Sequence, residues 1–377
     1  MPAVKSAHLK AIGLGLLALS LAACGAGEDG EPKPSGATYY AYVADSYDSI
    51  VTTFAIDPET GVPTPSRTVP LAWNLQPHSL AVTPSGRFAY VVGFYRSSVY
   101  AYSVDPVTGA WNGVPGSPFQ TGVLPASIAV EPSGRYFYTA GHDFGAVAAN
   151  RIEDTGGLLP VTGSPFAALG GPFAIAFEPS GRFIYVLCID TETVLTFAIQ
   201  GTTGFLTPVG GPMATGTDPQ SLTVDPQGRR LYVANRGSKD ISAFAIDAAT
   251  GALTAVAGSP FAVPQPPPFM LFPEAIAIDP SGRAAFAACM GSMTLTSFFI
   301  DGATGALMPT GTVITTWNSP RAIAFGPTGR HVYVIHDSEP GTLSYYEVDP
   351  ASGSIELVNA LPLGRFPEAL VISRVAR

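Results

Sequence analysis

Seven prolines, Pro77, Pro125, Pro172, Pro219, Pro273, Pro320 and Pro367, each precede a short run of alternating large and small apolar residues. The residue directly after each proline changes in chemistry from copy to copy: His78, Ala126, Phe173, Gln220, Glu274, Arg321 and Glu368. An imidazole, an amide, two carboxylates and a guanidinium at equivalent places in a repeat offer a base to activate water and a cation to hold an oxyanion. A repeat under structural demands alone has no need of such variation. Further polar groups fall between the strands that follow: His142 and Asp143, then Asn235, Arg236 and Lys239, then His336, Asp337 and Glu339, and near the start Asp45, Tyr47 and Asp48. The plainer alternative is that Glu274, Arg321 and Glu368 pair with one another around a water-filled tunnel, and that the loop histidines are merely solvated. No HExxH, GxSxG or phosphate-cradling loop occurs, no acidic cluster has calcium-site spacing, and neither Cys188 nor Cys289 has metal-ligand spacing. No metal or cofactor is therefore expected.

The elements that must position these residues are strands. Of 377 residues, 41 are Gly and 36 are Pro, and only 12% are charged, which disfavours helices. With 46% hydrophobic residues the chain has the side-chain surface for a large core, so disorder is disfavoured as well. Three markers repeat. The turn Pro84-Ser85-Gly86-Arg87 recurs at Pro132, Pro179, Pro226, Pro280 and Pro327, six copies in all. A second turn ends in Gly at 61, 109, 156, 204, 251, 305 and 353, and the seven prolines follow one another at steps of 48, 47, 47, 54, 47 and 47. Six copies of one marker against seven of the others means that the chain begins with the second strand of a unit and ends with a first strand whose turn is missing. The two ends complete one unit, which closes the ring and hides the edges an open array would expose. Four short strands at a period near 47 make a propeller blade. The expected fold is all-β: a seven-bladed β-propeller of four-stranded antiparallel blades over residues 37–377, closed by pairing the N-terminal strands with the C-terminal strand.

In such a blade one rim carries the short PSGR and Thr-Gly turns. The opposite rim collects the blade-to-blade connections and the loops between second and third strands, where function usually resides. Ring closure then joins Gln220, Glu274, Arg321, Glu368 and His78 into one arc of five blades and leaves Ala126 and Phe173 as an apolar remainder. The repeated Arg of the turn is expected to cap it or to bond to the next blade, and the Gly-Ser-Pro-Phe element at Gly116, Gly163 and Gly258 is expected to be a structural turn. The 54-residue step inserts Pro-rich residues between Ala262 and Phe272 on the functional rim; a lid, a partner contact and a packed connection all fit that insertion.

The pattern PEAIAIDPSGR, then YVAN followed by Arg236-Gly237, then SAFAIDAATGAL, resembles the seven-bladed lactonase family, which includes 6-phosphogluconolactonase-type propellers and carboxymuconate cyclases. The resemblance spans residues 37–377 and rests mainly on turns and strand cores. It implies a lactonase-type hydrolase, in which His78 or Glu274 would activate water and Arg321 or Arg236 would stabilise the oxyanion. Gln220, Glu368, Asn235, His336, His142 and Lys239 would bind substrate. The alternative is a non-catalytic propeller that binds a protein or glycan at the cell envelope.

Residues 1–23 carry Lys5 and Lys10, no acid, and an apolar core from Ala11 to Leu21 that is too short to span a bilayer but suits a signal peptide. The segment ends in Leu21-Ala22-Ala23-Cys24, which resembles the lipobox of bacterial lipoproteins, where Cys24 is acylated; an ordinary secretory signal is the alternative. Residues 24–36 then form a flexible polar tether. An exported lipoprotein facing the periplasm or cell surface is expected, held to the membrane only through Cys24. Removal of the signal takes the formal charge from −9 to −11, which gives no electrostatic footprint for nucleic acid. Expected partners are a small lactone or carbohydrate-derived ligand, or an envelope protein or glycan.

Overall fold

Strand-forming runs such as Phe88–Gly93 and Ser98–Val104 are too short to be helices and are separated by Pro/Gly turns, so each pairs with its sequence neighbour as an antiparallel meander. The computed structural model describes residues 39–374 except 73, 94–96, 107 and 265–271. The expected signal segment 1–23, Cys24, the expected tether 24–36 and most of the Pro-rich insertion lie outside the described residues. In blade 1 the inner strand is Pro77–Val82, the second Phe88–Gly93, the third Ser98–Val104 and the outer one Trp111–Gly113. The inner strands of blades 2 to 6 are Ser127–Val130, Pro172–Phe177, Pro219–Val224, Pro273–Ile278 and Ser319–Phe325. Blade 7 takes its inner strand, Pro367–Arg374, from the C-terminus and its other three, Tyr39–Asp45, Ile50–Ile56 and Pro63–Pro70, from the N-terminal side. Each inner strand packs on the next, including Pro367–Arg374 on Pro77–Val82, so the seven sheets form a closed ring.

The GSPF element has a defined job. In blades 1, 2 and 4 it interrupts the outer strand: Ser117, Ser164 and Ser259 accept hydrogen bonds from the backbone N–H of Ala101, Ala149 and Ala243 at 2.9, 2.8 and 2.8 Å. A two-residue segment such as Phe119–Gln120 then returns to pair with the third strand, so these blades carry a short fifth piece.

In four of the six PSGR-type turns the residue before the proline is acidic (Glu131, Glu178, Asp225 and Asp279) and takes the turn's N–H groups. Glu178 accepts from Ser180 N and Arg182 N at 2.9 and 2.8 Å. The turn glycine is left-handed, as at Gly181 (φ 72°), where a side chain would strain the backbone. In three of these turns the arginine stacks on the aromatic residue that follows (Arg87 on Phe88, Arg135 on Tyr136 and Arg182 on Phe183, at 5.2 to 5.7 Å), and Arg182 also donates to the Ala248 carbonyl of the next blade at 2.7 Å.

Blades are further latched by a buried tyrosine of the second strand whose hydroxyl donates to the carbonyl of the Thr-Gly or equivalent turn glycine in the next blade. The pairs are Tyr90 to Gly156, Tyr138 to Gly204, Tyr185 to Gly251, Tyr232 to Gly305 and, across the closure, Tyr333 to Gly61, at 2.6 to 3.1 Å. Tyr185→Phe should cost about 1 kcal/mol of stability, because the glycine carbonyl loses its partner while packing is retained. Urea unfolding measures this; an unchanged midpoint would show that the bond is exchanged for water at no cost.

The closure carries a second device. Arg365 grips Asp48 through Nε and a terminal nitrogen at 3.1 and 2.7 Å and stacks on Tyr47 at 3.8 Å. Beside it Asp45 is fully buried, accepts a single 3.3 Å bond from Thr52, and has its pKa pushed up to about 7, first by burial and then by the charge of Asp48. The folded state therefore binds this proton more tightly than the unfolded chain. The associated stability is complete below the unfolded pKa near 4 and is lost as pH rises towards 7, a change of up to about 4 kcal/mol. Asp45→Asn should flatten stability between pH 4 and 8; an unchanged pH dependence in the variant would contradict this.

Candidate active site

The step from fold to site is a β-bulge. In six blades the residue after the first proline is skipped in the pairing of inner with second strand: His78, Phe173, Gln220, Glu274, Arg321 and Glu368. A bulge places two residues opposite one and re-aims the extra side chain. Proline at the strand start has no N–H to offer the ladder, so pairing begins irregularly there. All six bulged residues, with Ala126 in blade 2, line one cavity of about 540 Å³.

Around this cavity the ring divides. Arg321 lies between two carboxylates from the adjacent blades: a terminal nitrogen meets Glu274 Oε1, while Nε and the other terminal nitrogen meet Glu368 Oε2, both at 3.0 Å. The side chains of Glu274, Arg321 and Glu368 are 6, 30 and 18% exposed. Glu274 is thus the buried anchor, and the other two reach the cavity. Its Oε2 accepts no hydrogen bond among the described residues and lies 3.9 Å from Arg236. Burial pushes the Glu368 carboxyl above its ordinary pKa, and Asp337 and Glu274 reinforce the rise against the pull of Arg321. Burial works against the Arg321 cation, but the surrounding carboxylates of Glu368, Glu274 and Asp337 outweigh it and raise its pKa.

His78 lines the same cavity, with Nε2 donating to the Ala126 carbonyl at 3.0 Å. Burial pushes its pKa down to about 4, so the ring is neutral and a weak base near neutral pH. Gln220 is oriented by Asp218, which accepts from its Nε2 at 2.6 Å and also binds Arg236 Nε at 2.7 Å. Opposite, His142 and Asp143 enter the wall from a short 3-10 turn, His142–Phe144. The His142 ring bridges Asp143 and Asp190 at 2.9 and 3.1 Å, and these carboxylates raise its pKa against a smaller effect of burial.

The remaining positions singled out by the sequence lie elsewhere. Asn235 is buried and spends its amide on Asp240 and Ser242. His336 is buried against the Asn318 carbonyl at 3.1 Å, with its pKa lowered by burial. Lys239 is the left-handed residue (φ 63°) of the turn after Asn235. None of the three lines the cavity, and Arg236 touches it indirectly, through Glu274 and through Asp218, which holds Gln220. Asp218 and Asp190 are added by the structure. The only trace of either in the sequence is placement, Asp218 just before a strand-start proline and Asp190 just after the second strand of blade 3.

Cations, a carboxylate of raised pKa and a concave wall suit hydrolysis of an activated acyl group. The fold is similar to that of a periplasmic gluconolactonase from Pseudomonas aeruginosa, at 21% identity and a TM-score of 0.76 over 89% of this chain and 99% of that one. It is similar also to a candidate 6-phosphogluconolactonase from Bacteroides uniformis, at 19% identity and a TM-score of 0.76 over 89 and 99% of the two chains. A Lactobacillus plantarum protein follows at 19% identity, a TM-score of 0.73 and the same coverage. No curated protein matches the chain. The family described as lactonase, 7-bladed β-propeller, matches residues 46–164, 160–271 and 271–367, and with most of its length so matched the chain belongs to the seven-bladed β-propeller lactonase family.

Proposed function

We propose that this protein is a lactonase-type hydrolase whose reaction takes place against the Glu274–Arg321–Glu368 cluster. The observation that carries the reading is an arginine fixed between two carboxylates inside the cavity that all seven inner-strand positions line. Glu368, the more exposed carboxylate and the one of raised pKa, takes a proton from water as the water oxygen attacks the lactone carbonyl. A guanidinium has more N–H bonds than these two carboxylates engage, so Arg321 can donate to the oxyanion of the tetrahedral intermediate. On collapse the ring C–O bond breaks, the leaving alkoxide recovers the proton, and the product is a hydroxy acid. Glu274 acts through Arg321 as a positioning residue.

Proton release on a panel of lactones tests the reading: turnover above the uncatalysed rate supports it, and its absence on every lactone favours the alternative, a propeller that binds a protein or glycan at the cell envelope. We further propose that the protein is exported as a lipoprotein anchored through Cys24. The lipobox-like sequence supports this, and so does the fold's likeness to a periplasmic enzyme. Radiolabelled palmitate should enter the wild type and be absent from Cys24→Ser; equal labelling would contradict the anchor.

A further inference from the structure

Across blades 4 to 7 the cavity wall is polar or ionic, and across blades 2 and 3 it is apolar apart from Ser127, His142 and Asp143. Blades 4 to 7 contribute Gln220, Glu274, Arg321 and Glu368; blades 2 and 3 contribute Ala126, Phe173 and Ile189, joined by Leu124 and Pro125. The apolar character continues onto the rim segments of the same two blades, where Phe144 and Leu169 are 61 and 77% exposed. Phe173 occupies the bulge position that in blades 5 to 7 carries charge, so its ring faces the same space as Arg321. The volume of about 540 Å³ falls in the range that holds a drug-sized ligand and exceeds what one lactone ring needs.

The charge balance excludes one kind of substituent. Glu274, Glu368 and Asp143 line the cavity, and Asp190, Asp218 and Asp337 interact with its lining residues. Against these six carboxylates stand Arg321, Arg236 and His142, each already engaged by an acid. A phosphate would enter a surplus of negative charge with no unengaged cation among these groups to receive it.

Resting on the lactonase reading, we infer that the substrate is an uncharged lactone bearing an apolar substituent, its carbonyl at Arg321 and its substituent against Phe173. An apolar group on the far side of the ring gains burial there, by about fourfold in affinity per buried methylene.

The test uses the full mature chain and two kinds of matched probe. Initial rates are compared for an unsubstituted lactone, the same ring with a short alkyl chain, and glucono-δ-lactone with and without a 6-phosphate. Binding of the corresponding unsubstituted and alkyl lactams, which resist hydrolysis, is measured by calorimetry. The expected result is a kcat/KM at least about tenfold higher for the alkyl lactone, tighter binding of the alkyl lactam, and a kcat/KM at least about tenfold lower for the phosphorylated sugar lactone than for its parent. In Phe173→Ala the alkyl preference should fall about tenfold; the wild-type ratios decide the matter if that variant does not fold. Equal rates for alkyl and unsubstituted lactones, or a preference for phosphate, would overturn the inference. Lactam discrimination without turnover on any lactone would support this ligand class while removing the hydrolase reading; neither turnover nor discrimination would remove both.

Discussion

Arg321→Gln should lower kcat/KM by about 10²- to 10³-fold, the usual cost of removing one donor to a developing oxyanion. The same substitution should destabilise the fold by about 3 kcal/mol, because it leaves Glu274, only 6% exposed, without its hydrogen-bonded cation and with Arg236 only at 3.9 Å. The two losses have different origins and separate in a double variant. Arg321→Gln with Glu274→Gln removes the unpaired charge as well as the cation, so most of the stability should return while turnover stays low. Recovery of turnover along with stability would show that Arg321 serves the fold alone. Glu274 is the appropriate partner because it is the more buried of the two carboxylates and its Oε2 accepts no hydrogen bond among the described residues.

Glu368→Gln should lower kcat by about 10²- to 10⁴-fold, the range supplied by a positioned general base, with a smaller change in KM. Its signature is in the pH profile. Only the deprotonated carboxylate accepts a proton from water, and burial has moved its pKa above the ordinary value for glutamate. Turnover in the wild type should therefore rise with pH through that elevated pKa, and the acid limb should vanish in the glutamine variant. His78 titrates near pH 4, so an acid limb well above that value would belong to Glu368 and not to His78. The bonds that orient Arg321 remain possible with a glutamine oxygen, so the variant should fold.

The ring itself was legible in the residues because it is written many times. Three markers at a common period, six copies of one and seven of the others, imply closure, and the pairing of Tyr39–Asp45 with Pro367–Arg374 is that closure. The arc after the strand-start prolines was legible for the same reason, since a change of charge at a fixed position stands out against a constant background. Direction was harder to read. Asn235, His336 and Lys239 lie at polar loops as His142 does, but a loop residue can turn inward to satisfy its own turn, and Asn235 and His336 do so. The order of basicity also required the structure: His78 and Glu368 are both half-buried, but desolvation weakens an imidazole as a base and strengthens a carboxylate. The tyrosine latches recur in the sequence, but their partners are 66 or more residues away and only the ring brings them together.

The central claim is that the carboxylate of Glu368, beside Arg321, opens a lactone. Its most direct measurement is the pH dependence of proton release from the lactone panel by wild type and Glu368→Gln, with circular dichroism confirming that both are folded. The expected result is wild-type turnover that rises through an elevated carboxylate pKa and a variant slowed by at least about 10²-fold without that rise. Equal rates and identical pH profiles for the two proteins would contradict it.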